Sequence, residues 1–300
     1  MKKQQAILSI TLLSLSQPLF ADGLLGAGHY TPGAANIRDM TMPNQSGFIY
    51  EQYNVYYSSG NYTDPNGNTI ALDNKYQASA ISPLLMWVTD KELLGARYSF
   101  YLNPSLAAAN VAGEESYGLG DTFIQPLWLG WLNPKYDVNF GLGFYLPTAD
   151  KDLGLGMVTT QLQLSGYYYV MEQAGAVMLA STYEFHGDVD STGVTPGDHL
   201  TIEYGYSQYL TQQLEIGIKG YSQWQVQGDQ LSHKHEQLNR LLGTSLGEKS
   251  QVHALGLQVG YWLDPHWNFS LNYMKEYAAE SRLEGDVLSF NITYSPKGLF

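Results

Sequence analysis

Along most of this chain apolar and polar residues take turns one by one, and no stretch is long and oily enough to form a membrane helix. Tyr136, Val138, Phe140, Leu142, Phe144 and Leu146 alternate with Asp137, Asn139, Gly141 and Gly143. Leu200, Ile202, Tyr204 and Tyr206 alternate with Thr201, Glu203, Gly205 and Ser207. A period of two is the mark of a strand with one dry face and one wet face. The same pattern recurs near residues 94–102, 158–170, 177–186, 214–225, 254–263, 267–275 and 288–294. The longest uncharged stretch, Leu153–Met171, carries Thr159, Thr160, Gln161, Gln163 and Ser165, which hydrocarbon would leave unsatisfied in a helix.

Three further segments, Phe48–Tyr57, Tyr76–Val88 and Leu119–Leu132, alternate less cleanly. Pro83 and Pro126 lie inside two of them, and proline in a strand predicts a bulge or an edge position that moves the dry face. The total is twelve strands.

A soluble sandwich also alternates, so the surroundings of the dry face must be identified. Charged residues make up 14% of the chain, against about 25% in soluble domains. The dry faces of the regular strands carry one charge, Lys275, placed near a strand end where its stem can reach the interface. Trp128, Trp131, Tyr136, Trp224, Trp262 and Trp267 gather near strand ends, as rings do at the headgroup level. Short connections near 89–92, 133–135, 171–175, 211–213 and 264–266 alternate with long ones near 58–75, 103–118, 148–157, 187–198, 227–250 and 278–285. Outer-membrane barrels pair short periplasmic turns with long external loops. The reading is an all-β, transmembrane antiparallel β-barrel of about twelve strands, an even number, with both ends periplasmic. Pro296 predicts that the last strand stops near Tyr294, and Phe300 supplies a terminal aromatic residue suited to the barrel-insertion machinery.

Residues 1–21 read as a signal peptide. Lys2 and Lys3 precede the apolar run Ala6–Leu15, which Gln17-Pro18 breaks, and cleavage is expected after Ala21. Residues 22–46 form a segment rich in Gly and Pro, and 47–300 the barrel. The expected location is the bacterial outer membrane, in contact with lipid and lipopolysaccharide. A formal charge of −13, with 15 basic residues, excludes nucleic acid as a partner. The absence of cysteine excludes disulfides, thiolate metal sites and a cysteine nucleophile. No P-loop is present, so no energy source is visible and no cofactor is expected.

Four segments carry a family resemblance: His29-Tyr30-Thr31-Pro32-Gly33, Gly118-Leu119-Gly120-Asp121, Gln125-Pro126-Leu127-Trp128-Leu129-Gly130-Trp131 and Gly143-Phe144-Tyr145-Leu146-Pro147-Thr148. With them the chain resembles the outer-membrane β-barrel transporter family of the meta-pathway of phenol degradation. Ala149 follows Pro-Thr where that family often has Gly. The resemblance implies a barrel and passage of small aromatic or apolar compounds.

The inner faces carry Arg97, Asp137, Glu184, Glu203, Glu215, Lys219 and Glu276, five acids against two bases. One reading is a polar path with mild cation preference. The other is a closed interior in which these groups pair. Twelve strands lie between the filled eight-stranded barrel and the open porin, so the count decides nothing. Residues 22–46 contain His29, Tyr30, Pro32, Arg38 and Asp39. The segment is expected to fold into the lumen as a plug, with Arg38 on an inner carboxylate such as Glu203 or Glu184; the alternative is a flexible periplasmic tail.

Other motifs carry less. Asp64-x-Asn66-Gly67-Asn68 starts like a calcium loop but has Lys75 where the site needs Glu. Asp188, Asp190 and Asp198 form a solvated acidic loop, and His233-Lys234-His235-Glu236 offers proximity without placed ligands. Asp198-His199 and His186-Gly187-Asp188 stand without a serine nucleophile motif, so no enzyme is expected. The function expected is passive transport of a small organic solute. The alternative is a structural or adhesive barrel acting through its long acidic loops.

Overall fold

The computed structural model describes residues 28–150, 153–231, 233 and 248–298. The signal peptide with its cleavage site, most of the His233–Glu236 motif and Phe300 lie outside the described residues. The strands are β1 (Gly47–Thr63), β2 (Thr69–Leu93), β3 (Ala96–Asn103), β4 (Leu106–Val111), β5 (Glu114–Leu119), β6 (Thr122–Leu132) and β7 (Tyr136–Leu146). They continue with β8 (Thr159–Val170), β9 (Gly175–His186), β10 (His199–Tyr209), β11 (Leu214–Gln225), β12 (Gln251–Trp262), β13 (Trp267–Glu280) and β14 (Arg282–Tyr294). Among the described residues no helix is long and apolar enough to cross a membrane.

Neighbouring strands pair antiparallel, and β1 pairs both β14 and β2, so the sheet closes on itself. The fourteen segments make twelve walls. β3 and β4 are one strand interrupted at Pro104-Ser105: β2 pairs Leu85 with Leu102 and then Ile81 with Leu106. β5 and β6 are likewise interrupted at Gly120-Asp121. Closure leaves no edge with unpaired N–H and C=O groups, the condition for a sheet in hydrocarbon.

Pro126 sits where Gln125-Pro126 faces one residue between the Ile124–Phe144 and Leu127–Leu142 pairs, the bulge expected of it. Pro83 keeps register with Gln52 on β1, and its other side faces the break between β3 and β4, where no ladder bond is lost. The bulge moves the dry face. Trp128, expected at the membrane interface, points inward and is buried against Met42 and Met86. Trp262 is also inside, with its indole N–H donating to Tyr209 OH at 3.0 Å. Outward rings include Trp87, Tyr136 and Trp267.

Three connections expected to be long are short because the strands run on. The β1–β2 loop shrinks to 64–68, the β4–β5 turn to 112–113 and the β13–β14 turn to Ser281. Past the apolar band both faces meet water, so pairing continues with Ser, Asn, Glu and Lys on either side and no alternation betrays it. The two-residue turns Leu94-Gly95 and Ala112-Gly113 have positive φ at both positions, the twist that matches a hairpin. Asp64 closes its loop by accepting from the backbone N–H groups of Asn66 and Asn68, at 2.9 and 2.8 Å.

The outward band is aliphatic and aromatic: Leu164, Leu179, Ile218, Leu257 and Leu271 are each at least half exposed. Lys275 pairs there with Asp286 at 3.1 Å. β1 departs from this pattern. Its outer face carries a polar chain in which Tyr50 OH donates to Gln52, Gln52 to Asn54, and Asn54 to the Phe290 carbonyl of β14, each at 2.7 Å. Its inner face carries Ile49 and Val55. Leu257→Lys is expected to cost about 2–4 kcal/mol in denaturant unfolding from lipid vesicles. Asp73→Lys, on the water-exposed extension of β2, should change stability by less than about 0.5 kcal/mol. Equal costs at the two positions would contradict a lipid-facing band.

Candidate functional site: the lumenal segment and an aromatic cavity

Residues 28–46 run through the interior, and inward side chains of β7–β14 bond to their backbone. Ile37 N–H donates to Gln258 at 2.7 Å and Gly33 N–H to Glu203 at 2.9 Å. Tyr30 N–H donates to Glu184 at 2.8 Å, and the Tyr30 hydroxyl donates to Glu203. Lys219, 2% exposed, donates to the Gly33 carbonyl at 2.9 Å and to that of Ala35. The Ala34 carbonyl accepts from Ser289 and Asn291, and the Asn36 side-chain oxygen from Ser270 and Asn272. Met40 N–H donates to Tyr167 OH, which donates to the Ile37 carbonyl, and Ser165 Oγ donates to the Met40 carbonyl. Gly217 lets the chain approach: a Cβ there would stand 2.4 Å from Ile37 Cδ1.

Arg38 pairs with Glu215 at 2.7 Å, not with Glu203 or Glu184. The reason is reach: Tyr30 and Gly33 already take those two carboxylates, while Arg38 lies at the turn end of the lumen. There its guanidinium also donates to Ser207 and to the Gln173 and Ala174 carbonyls, and covers the Tyr209 ring at 4.8 Å. Asp39 accepts from Asn36 N–H and Nδ2, closing a turn. Burial holds its carboxyl above the usual carboxylate range, an effect that hydrogen bonds with Glu51 and Asn36 only partly offset. Pro32 is buried.

Asp137, Glu184, Glu203, Glu215, Lys219 and Glu276 are all inside and buried, as the alternation predicts. Asp137 accepts from Thr41 at 2.9 Å and from Tyr169 at 2.5 Å. Glu276 accepts from Tyr57 and Tyr221, each at 2.8 Å, and meets Arg282 at 3.5 Å. Arg97 is half-buried near the turn end of β3, opposite Gly130 on β6. The alternation missed Glu51 and Arg282, both buried inside, because they lie on an irregular strand and in an expected loop.

The bonding is lopsided. Most polar contacts of the segment go to β8–β14, and against β1–β6 a cavity of about 500 Å³ remains. Tyr53, Tyr57, Tyr101, Phe123, Trp128 and Tyr145 line it together with Leu84 and Met86. His29 stacks on Tyr145 at 4.7 Å, Tyr145 meets Phe123 at 4.4 Å, Phe123 meets Tyr101 at 5.8 Å and Tyr101 meets Trp128 at 5.9 Å. Glu51, Glu276, Arg282 and Gln223 also reach it, so a volume of this size, mostly apolar with a few charged and amide groups, suits one small organic molecule.

Asp121 ties the cavity's loop end together. It meets His29 Nε2 at 3.1 Å and accepts from the N–H groups of Ala149 and Leu155 at 3.1 and 2.9 Å. Burial pushes its carboxyl up, but the His29 contact and these N–H donors outweigh it and hold the group below the usual range. His29, Asp121, Trp128 and Tyr145 each come from a different one of the four sequence motifs.

Residues 56–292 match the model of the protein family described as "Putative MetA-pathway of phenol degradation". Among solved structures, an outer membrane channel from Pseudomonas putida F1 is similar at a TM-score of 0.72, with 14% identity over 87% of this chain and 99% of that one. The translocator domain of the autotransporter NalP from Neisseria meningitidis gives 0.48, with 10% identity over 82% and 88%. No curated protein is matched at a significant level.

Arg38→Ala leaves Glu215 buried without its cation, a loss of about 3–5 kcal/mol. Amide exchange across residues 28–46 is expected to rise in that variant and to stay unchanged in Asp73→Lys. Because the Asp121 carboxyl is depressed on folding, its stabilisation is present above the unfolded pKa of about 3.9 and is lost as pH falls through the lower folded value. Carboxyl NMR of the folded protein should show Asp121 titrating below about 3.9.

Proposed function

The chain belongs to that phenol-degradation family, and from this premise we propose that it is an outer-membrane channel for passive transport of small apolar or aromatic compounds. Residues 22–46 act as its plug, of which 28–46 are described. Both ends of the barrel face the periplasm and the longer loops face outward. The observation that carries the reading is the aromatic cavity beside the segment. Outside it, the lumen is occupied by a chain bonded to the wall at many of its polar groups, which disfavours a wide aqueous path. The cavity wall is mostly ring faces and aliphatic groups, and Gln161, Gln163, His29 and Arg282 among its lining residues could orient a hydroxyl or carboxylate. The lumen-lining acids Glu184, Glu203 and Glu215 serve to hold the plug rather than to select cations in a stream.

Liposomes carrying the protein are expected to take up phenol-like and benzoate-like compounds faster than protein-free liposomes, with no gain for sugars or amino acids. Equal rates with and without protein would end the transport reading. Deleting residues 22–46 should raise single-channel conductance in planar bilayers, since a twelve-stranded ring without its filling is wider than a packed one. Unchanged current would remove the plug from the account.

A further inference from the structure

At the loop end of the polar wall, three side chains with metal-binding atoms face one another: Glu184 and His186 on β9 and His199 on β10. We propose that they form a binding site for a first-row divalent transition metal, Zn²⁺ by its donor set, placed where residues 28–29 pass the barrel wall. Nothing in the transport reading requires this site.

The register puts them together. Glu184 and His199 are directly opposed across β9 and β10, and His186 lies two residues on, on the same inward face. One donor atom from each of the three lies within 4.8 Å of the others. His186 Nε2 and His199 Nδ1 stand 2.9 Å apart. Donors on a tetrahedral zinc at about 2.0–2.1 Å are roughly 3.3 Å apart, so a small opening of the pair would admit the ion.

Proton placement prepares His186. Asp121, as a carboxylate, only accepts, so His29 Nε2 carries the hydrogen between them. In the neutral ring His29 Nδ1 then accepts from the Thr159 hydroxyl at 2.8 Å. With its hydrogen so committed, Thr159 Oγ1 accepts from His186 Nδ1, also at 2.8 Å. The chain Asp121–His29–Thr159–His186 therefore leaves His186 Nε2 as an acceptor, which without an ion takes the His199 Nδ1–H; an ion bound between the two nitrogens takes that hydrogen's place, with His199 carrying its hydrogen on Nε2. A ligating histidine whose other ring nitrogen is anchored in this way is the usual outer-shell arrangement of a metal site.

Charge gives the second, independent argument. Glu184 is 0% exposed, and its Oε2 has no hydrogen-bond partner among the described residues. On the same wall Glu215 meets Arg38, Glu276 meets Arg282 and Glu203 feels the Lys219 charge. Glu184 receives the Tyr30 N–H on Oε1 and the support of the His29 N–H, but among the described residues it meets no such cation. A buried carboxylate is kept where a cation or donors satisfy it. Glycine at 28 lets the segment pass against this carboxylate, since a Cβ there would stand 2.1 Å from Oε2. Two imidazoles and a carboxylate match the ligand set of three-residue zinc sites, which leave a fourth position for water or a solute.

The test uses detergent-purified full-length mature protein, stripped by chelator and carrying His233→Ala and His235→Ala so that the external loop supplies no imidazole. Titration with Zn²⁺ is expected to show one equivalent bound. Glu184→Gln and His186→Ala should each weaken binding by more than about 100-fold, and Thr159→Val by about 10-fold, the scale of an outer-shell loss. Heat-modifiable gel migration reports whether each variant is folded. Should a variant fail to fold, Co²⁺ added to the parent protein decides: intense tetrahedral ligand-field absorption supports the site and an aqua-ion spectrum overturns it. Absence of Zn²⁺ binding by the folded parent, or binding undiminished in folded Glu184→Gln and His186→Ala, also overturns the proposal.

Discussion

The interior of this barrel depends on one constraint: the backbone of residues 28–46 must find hydrogen-bond partners away from water. The segment forms no helix and no ladder, so side chains must supply what secondary structure elsewhere provides. The inward faces of β8–β14 do so with Gln258, Glu203, Lys219, Asn291 and Tyr167. Each of these is a polar group in a buried place, tolerable only because the segment pairs with it. Segment and wall therefore need each other. A barrel without the segment would hold unpaired carboxylates, and a segment without the wall would leave its amides and carbonyls bare.

That dependence also separates the two halves of the lumen. Where the wall is committed to the segment it is polar and filled. Across from it, β1–β6 contribute mainly rings and aliphatic groups, with Glu51 among them, and a cavity remains. The separation runs along the chain, since the polar half is built from the later strands and the aromatic half from the earlier ones. The four motifs that gave the family resemblance meet in this geography. His29 and Tyr30 bridge the two halves, Asp121 holds the loop end, and Trp128 and Tyr145 line the open side.

Much of this was legible in the sequence, and the parts that were not have physical reasons. Strand number, closure and the inward placement of Asp137, Glu184, Glu203, Glu215, Lys219 and Glu276 follow from a period of two, because oil outside and polarity inside leave a direct trace. Trp128 misled because one extra residue at Gln125-Pro126 reverses every face beyond it, and a single sequence shows the proline but not the partner that sets the count. Glu51 and Arg282 were hidden because alternation fades where both faces are mixed. The Arg38 partner depends on how a non-repeating segment threads a closed space, for which no spacing rule exists. The aromatic cavity was least visible of all, since rings that line a hollow and rings that face lipid read alike.

The polar outer chain of β1 bears on how the ring is made. Tyr50, Gln52 and Asn54 would be poorly hosted by hydrocarbon if the first strand lay alone on the bilayer, and their last bond goes to the Phe290 carbonyl of the final strand. The stripe is thus at home in water while the sheet is an open curl, and self-contained only after head meets tail. Such a seam penalises an unfinished cylinder lodged in lipid and rewards the sealed one, so chain assembly is pulled towards its final stitch.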